Sequence, residues 1–295
     1  MLLAAENPLE HLSDKPWPGL QWHWQGLTVT AMSSLIAAMI LVAIIAATLI
    51  LPFARRYQRV PRGGRNVVEV LVVGVRDLIA KPALHEQAYV FLPLLCTMFV
   101  FVLGLNLLGM IPLGRITPLL GLPPIGGTPT GILAVTGAMA FITFMTIVVL
   151  GLHHAARLCH EHHRVPMALC AAISPLLWLK SLAPTIPGLT GKILLLPMIA
   201  LEFVGVLAKC GALMIRLFAN MLAGHTLLAV LLMLLGQALV SLMQHQSYSL
   251  AYVGPGIIIF SVALNLLELL VAVIQAYIFT FLSAMFIGLY AAPSH

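Results

Sequence analysis

The sequence predicts an all-α integral membrane protein, and three observations lead to that fold class. Hydrophobic residues make up 61% of the 295 residues, and charged residues make up only 8%. A soluble domain carries about 25% charged residues, so this chain is too apolar for water. Apolar runs longer than about 18 residues recur, as they do in transmembrane helices. The net charge of +6 comes mainly from loops beside these runs, so it indicates membrane orientation and not nucleic-acid binding.

The chain divides into a polar N-terminal segment, 1–26, and a single helical membrane domain, 27–295. The segment contains three tryptophans, which suit a membrane interface. It contains no arginine and resembles neither a signal peptide nor a transit peptide. The domain begins with a transmembrane helix over 27–53. An amphipathic pattern over 66–81 predicts a second helix, lying in the inner interface.

A helical hairpin is predicted next. Its apolar runs cover 89–111 and 131–152, and a loop rich in Gly and Pro joins them. The His-rich stretch 153–163 follows the second run. No spacing of its histidines matches a closed tetrahedral metal site, so a solvated loop is the preferred interpretation and a metal site the alternative.

Two apolar segments near the end of the chain are too long for ordinary spans. Segment 193–236 has 44 residues and would measure about 66 Å as a helix, and segment 255–290 would measure about 54 Å. A bilayer core of about 30 Å needs only about 20 residues. We therefore expect two long, steeply inclined helices that pack antiparallel.

The basic residues give the orientation of the chain. Eleven Lys and Arg residues fall on the side that follows the first span, and only two fall on the other side. Because basic loops stay inside, residues 1–26 are predicted outside and the C-terminus inside. The sequence has no internal repeat of the kind that secondary transporters contain.

Ionisable residues lie inside the long segments. Arg216 sits in the middle of 193–236, where a charge costs about 2.5–3.5 kcal/mol on insertion scales. Glu202 and Lys209 precede it at intervals of seven residues, so the three share one stripe of a helix. For Lys209 a structural ion pair with a neighbouring chain is the alternative to a functional role. His225, nine residues beyond Arg216, is predicted on the opposite side of the helix.

The second long segment carries Glu268, with Gln275 two turns away on the same face. A carboxylate and an imidazole can relay protons, because the imidazole titrates near neutral pH. Arginine cannot, because it does not lose its proton in proteins. Facing each other, the two segments would line polar passages in lipid, and His225 and Glu268 are expected to approach each other. The polar residues of these passages are Glu202, Lys209, Arg216, Asn220, His225, Asn265, Glu268 and Gln275. For Asn106 of the hairpin, a simple hydrogen bond between helices is the alternative to a functional role.

The Arg-Leu-Phe-Ala-Asn sequence at 216–220 and the Ala-Gly-His sequence at 223–225 resemble the signature of subunit a of the F-type ATP synthase. Glu202, fourteen residues before the arginine, also fits that family. The order of span, amphipathic helix, hairpin and two long helices is similar to the family order. The resemblance covers about residues 30–290.

Two further features carry the resemblance. The sequence at 106–112 resembles the Asn-Leu-x-x-x-x-Pro motif that closes the family's second span, and Glu268 and Gln275 keep the family spacing. The combination of His225 with Glu268 is similar to the mitochondrial and alphaproteobacterial branch. The resemblance therefore implies the mitochondrial inner membrane, with a bacterial inner membrane as the alternative.

The family resemblance implies a stator subunit that forms two proton half-channels against a rotating ring of c subunits. His225 and Glu268 would serve the outer half-channel, and Glu202 the inner one. Arg216 would be the barrier between them and the counter-ion of the ring carboxylate. Supporting polar groups would be Asn106, Asn220, Asn265 and Gln275. The chain itself would have no catalytic site and no cofactor, and His225 is a candidate metal ligand within the long segments.

The implied partners are the c-ring, the peripheral stalk, other membrane subunits and the lipid bilayer. The rival interpretation is a stand-alone proton-coupled secondary transporter or ion channel. That protein would need a substrate cavity of its own and, by preference, inverted repeats. A purely structural membrane subunit is disfavoured by the number of ionisable groups at membrane depth.

Overall fold

A computed structural model gives the fold of the chain. It describes residues 21–24, 27–30, 33–54, 63–111, 128–163, 189–245 and 249–291, together with positions 113, 117, 121, 174, 175 and 177. Several predicted features lie outside these residues: most of the N-terminal segment, the arginine-rich stretch after the first span, and most of the Gly- and Pro-rich loop. The division of the chain at residue 26 stays a prediction.

Two short strands precede the first helix. Strand β1 (Gln21–Trp24) pairs antiparallel with β2 (Leu27–Thr30). The first helix, α1, covers Ser34–Ala54, so the expected start at residue 27 was wrong. The backbone N–H of Ile36 donates to the hydroxyl of Ser33 at 3.3 Å, which caps the first turn. Composition alone did not reveal this start, because no charged residue lies between β2 and the helix.

The region of the predicted amphipathic helix and second span consists of several helical pieces. These are α2 (Gly64–Val75), a π-helical turn (Arg76–Ala80), α3 (Lys81–Leu84), a 3-10 turn (His85–Gln87) and α4 (Ala88–Met110). His85 has a φ of 48°, in the left-handed region that non-glycine residues rarely adopt. The helical path is therefore interrupted at His85, between α3 and α4. The interfacial placement of α2 stays a prediction.

Helix α5 covers Leu133–His163 and includes the whole His-rich stretch. The prediction of a loop there was wrong. Polar residues do not end a helix by themselves, and the sequence has no Gly or Pro between Leu152 and Pro166. Among the described residues, no group of three or more His, Cys, Asp or Glu side chains could hold a metal ion.

The two long helices are observed and exceed their predicted lengths. Helix α6 covers Leu189–His245 and α7 covers Ser249–Ala291. With 57 and 43 residues, they measure about 86 Å and about 65 Å at 1.5 Å per residue. Among the described residues, five helical stretches are long and apolar enough to cross a membrane. Apart from the β1–β2 pair, every described element is helical, which agrees with an all-α membrane protein.

The chain forms two compact units. The first comprises Met1–Leu71, Cys96–Thr136 and Arg216–Ile278. Within it, α1 packs against the short 3-10 turn Pro129–Gly131, and α1 and α4 approach closely. A Cβ atom built on Gly104 would lie 2.7 Å from Val42 Cγ1, so a larger residue fits there only if Val42 moves.

The second unit comprises Val72–Leu95, Gly137–Ile215 and Phe279–His295. Helices α5 and α7 are joined in it by a buried pair of hydroxyls, Thr143 Oγ1 and Ser283 Oγ, 3.2 Å apart. Interhelical hydrogen bonds of this kind hold membrane helices together where the hydrophobic effect cannot.

Candidate functional site

Helices α6 and α7 bring His225 and Glu268 together in the first unit. His225 Nε2 lies 3.5 Å from Glu268 Oε1, and both side chains are largely buried. The expected approach of these two residues is therefore confirmed. His225 lies twenty residues before the end of α6, and Glu268 nineteen residues after the start of α7. Because the two helix ends are only a few residues apart in sequence, these parts of α6 and α7 form an antiparallel hairpin.

Two glycines lie beside this pair, and Gly224 makes room for it. A Cβ atom on Gly224 would lie 3.0 Å from Glu268 Oε1, closer than ordinary contacts allow. A Cβ atom on Gly109 of α4 would lie 3.7 Å from His225 Nε2 and 3.4 Å from Thr128 Cγ2. The contacts at residue 109 would be ordinary, whereas at residue 224 glycine permits a close approach of the backbone to the carboxylate. The glycine next to His225 in the chain is thus explained by its contact with Glu268.

Asn106 and Gln275 also lie in the first unit, and both are buried. Asn106 Nδ2 donates to the backbone carbonyl of Ala272 on α7 at 3.3 Å. Ala272 lies between Glu268 and Gln275, one turn from each, on the same face of α7. The interhelical hydrogen bond considered for Asn106 is therefore present, and it holds α4 against the face that carries the predicted site residues.

Several buried polar atoms in this region have no hydrogen-bond partner among the described residues. They are Asn106 Oδ1, Thr128 Oγ1, Thr130 Oγ1, His225 Nε2, Glu268 Oε1 and Gln275 Nε2. The 3.5 Å separation of His225 and Glu268 is within ion-pair range but longer than a good hydrogen bond. A buried polar atom left unpaired costs about 1–3 kcal/mol, and proteins usually satisfy such atoms with ordered water. The arrangement can therefore bind ordered water.

Thr128 and Thr130 were not identified from the sequence. Threonine is common at helix–helix contacts in membrane proteins, so it gives no signal as strong as a charge at membrane depth. The only hint was a pair of hydroxyl residues around Pro129, directly before an apolar helix.

Arg216 has a different environment, because it is exposed on α6. Leu213, Leu217 and Met221 form the buried face of this part of the helix. Arg216 lies on the exposed face together with Ala212, Ala219 and Ala223, a set of residues that we call the alanine stripe. No carboxylate that the structure describes lies within ion-pair distance of its guanidinium. The charge is thus presented outward from the chain, about half a turn around the helix from His225.

The remaining predicted residues lie outside the buried set that contains His225, Glu268, Asn106 and Gln275. Asn220 is half-buried on α6. Asn265 is exposed on α7, and its Nδ2 donates to the carbonyl of Ser261 at 3.0 Å. Glu202 belongs to the second unit, where Lys209 Nζ lies 3.8 Å from its Oε1 and both side chains are about one-third exposed. The observed partner of Lys209 is therefore in its own helix.

The sequence is similar to one family of known proteins. The family model of the ATP synthase A chain matches residues 35–288. ATP synthase subunit a of Myxococcus xanthus is 38% identical over 238 residues, which cover 80% of this chain and 64% of that protein. The subunit a of Anaeromyxobacter dehalogenans is 37% identical over 261 residues, covering 87% and 55%, and that of Chloroherpeton thalassium is 34% identical over 232 residues, covering 79% and 56%. The chain thus spans between about half and two thirds of the length of these relatives.

Proposed function

Because the chain belongs to the ATP synthase A chain family, we propose that it is the stator subunit of the membrane sector of an F-type ATP synthase. In this proposal it forms two proton half-channels against a rotating ring of c subunits and couples proton flow to rotation. It translocates protons and holds no catalytic site. Its partners are the c-ring, the peripheral stalk and the other membrane subunits of the complex.

The observation that carries this proposal is the contrast between Arg216 and the His225–Glu268 pair. The pair is buried within the chain, whereas Arg216 is exposed on an apolar helix. A guanidinium at membrane depth needs a counter-charge, because its transfer into lipid is costly. The described part of the chain offers none at ion-pair distance, so the counter-charge comes from another subunit. A carboxylate carried by each c subunit meets this need.

Each group has a role that follows from its chemistry. His225 and Glu268 can both bind and release a proton, so they serve the outer half-channel, with Asn106 and Gln275 supplying polar contacts to water. Glu202 serves the inner half-channel. Arg216 keeps its proton and so acts as a fixed barrier that attracts the ionised ring carboxylate. Asn220 and Asn265 are supporting polar groups.

The membrane placement is also part of the proposal. A helix of about 86 Å cannot stand upright in a core of about 30 Å, so α6 and α7 are steeply inclined. The N-terminal segment lies outside and the C-terminus inside, as the basic residues indicate. The relatives compared above are bacterial, which supports a bacterial inner membrane; nothing in them supports the mitochondrial location expected from the His225–Glu268 combination.

The test is the Arg216→Ala variant of the whole complex, reconstituted in vesicles. Removing the barrier while leaving both passages should let protons cross without rotation, so ATP synthesis should stop and passive proton flux should rise. Arg216→Lys should also abolish coupled synthesis, because a lysine at membrane depth can lose its proton. Arg157→Ala, which removes an exposed arginine near the end of α5, is the matched control and should synthesise ATP normally. Substantial synthesis by Arg216→Ala would overturn the proposed function.

A further inference from the structure

Thr128 and the following 3-10 turn, Pro129–Gly131, contain two buried hydroxyls. The backbone N–H of Gly131 donates to the carbonyl of Thr128 at 2.8 Å and closes the turn, which packs against α1. Thr128 is 7% exposed and Thr130 is fully buried. Neither Oγ1 atom has a hydrogen-bond partner among the described residues. A buried hydroxyl without a partner is costly, so the turn is expected to hold something polar.

Thr128 lies close to the proton-binding atom of His225. Both Thr128 Cγ2 and His225 Nε2 lie within 4 Å of one point, the position that a Cβ atom on Gly109 would occupy. His225 Nε2 is itself buried and without a hydrogen-bond partner among the described residues. Because residue 109 is glycine, the place of a Cβ atom is left open as a space between His225 Nε2 and the methyl group of Thr128. Each of these two side chains carries a buried polar atom without a hydrogen-bond partner among the described residues.

Water is the group that fits such a space. It donates and accepts, and a bound water needs two to four polar partners. The threonine hydroxyl can also donate and accept, and a neutral imidazole nitrogen can accept. A water between Thr128 and His225 would satisfy both side chains at once. A protonated Nε2 would then face Glu268 Oε1 at 3.5 Å.

We propose that Thr128 is a positioning residue of the outer proton path and holds the water that delivers protons to His225 Nε2. The water gives one proton to the imidazole and regains one from the aqueous side, and the imidazolium passes its proton to Glu268. Thr128 gains and loses no net charge. This inference rests on the proposed function, since it concerns the same half-channel.

The experiment uses the whole complex reconstituted in vesicles, with ATP synthesis and passive proton flux measured per assembled complex. Thr128→Val keeps the shape of the side chain and removes the hydroxyl. We expect both rates to fall about three- to tenfold, the usual effect of losing one hydrogen bond from a buried network. Thr128→Ser keeps the hydroxyl and should restore both rates to within about twofold of the wild type. The matched control is Thr146→Val, because that hydroxyl only donates to the Ile142 carbonyl of its own helix, at 2.8 Å.

Gly109→Ala is the second variant, and it tests the proposal even if Thr128→Val fails to fold or assemble. The added methyl would make ordinary contacts with Thr128 and His225, so it should fit while occupying the place of the water. A fall in flux similar to that of Thr128→Val supports the proposal.

Wild-type flux in Thr128→Val would overturn the proposal, and so would a Thr128→Ser variant as impaired as Thr128→Val. If Thr128→Val does not assemble, wild-type flux in Gly109→Ala overturns it. Any of these results leaves the proposed function intact as long as Arg216→Ala remains uncoupled.

Discussion

Replacing Gly224 with alanine tests whether the close approach of α6 to Glu268 is required for proton transfer. The new Cβ atom would lie 3.0 Å from Glu268 Oε1 and 3.4 Å from its Cδ. The carboxylate must therefore retreat by a few tenths of an ångström. Its Oε1 atom already lies 3.5 Å from His225 Nε2, so a further retreat weakens a contact that is longer than a good hydrogen bond. Misplacing a reacting group by about 1 Å can cost about a hundredfold in rate, so we expect a loss on the order of tenfold here.

The folding effects of Gly224→Ala oppose each other. Alanine in place of a mid-helix glycine stabilises the helix by about 0.5–1 kcal/mol, whereas overpacking costs about 1–3 kcal/mol. The assay is ATP synthesis per assembled complex in vesicles. Gly74→Ala is the matched control, because a Cβ atom on this helical glycine has nothing within 4 Å. If Gly224→Ala and Gly74→Ala both synthesise ATP at the wild-type rate, the close approach has no part in the mechanism.

Two other predictions concern packing within each unit. Gly104→Ala should lower the amount of assembled subunit, because its Cβ atom would meet Val42 Cγ1 at 2.7 Å. Adding Val42→Ala to the same chain should restore the amount of assembled subunit. Normal assembly of the Gly104→Ala single variant would contradict this prediction. The pair of hydroxyls in the second unit is tested with Thr143→Val and Ser283→Ala. Each variant should lower the denaturant concentration at which half of the complex is lost. The double variant should show a coupling energy between the two side chains of about 0.6 kcal/mol, which is typical of interhelical hydrogen bonds in membranes. Purely additive effects would show that the 3.2 Å pair contributes nothing.

The sequence predicted helices where lipid contact imposes apolar composition. The span expected over 89–111 is observed as Ala88–Met110, because it lies between a polar junction and a proline. The predicted ends of α5 and α6 were wrong, because each helix extends beyond the end of its apolar run. Hydropathy records where a helix meets lipid, and a helix can continue beyond the lipid wherever no glycine, proline or cap stops it.

The same limit applies to the site. His225 and Glu268 could be found because ionisable groups are rare and costly in apolar runs. Thr128 could not, because its proposed role depends on its position beside Gly109 and near His225, which are distant from it in the sequence. A threonine also costs little in a membrane helix contact, so composition does not reveal it.

The alanine stripe has a consequence for friction. Helices that pack through long side chains interlock as ridges in grooves, and sliding one past the other would require many rotamer changes. Alanine has no rotamers to change, since its side chain ends at Cβ. In the proposed complex, Ala212, Ala219 and Ala223 therefore offer the ring short side chains, and Arg216 is the charged group among them. The main specific resistance to turning would then be one electrostatic contact, which is renewed at every step.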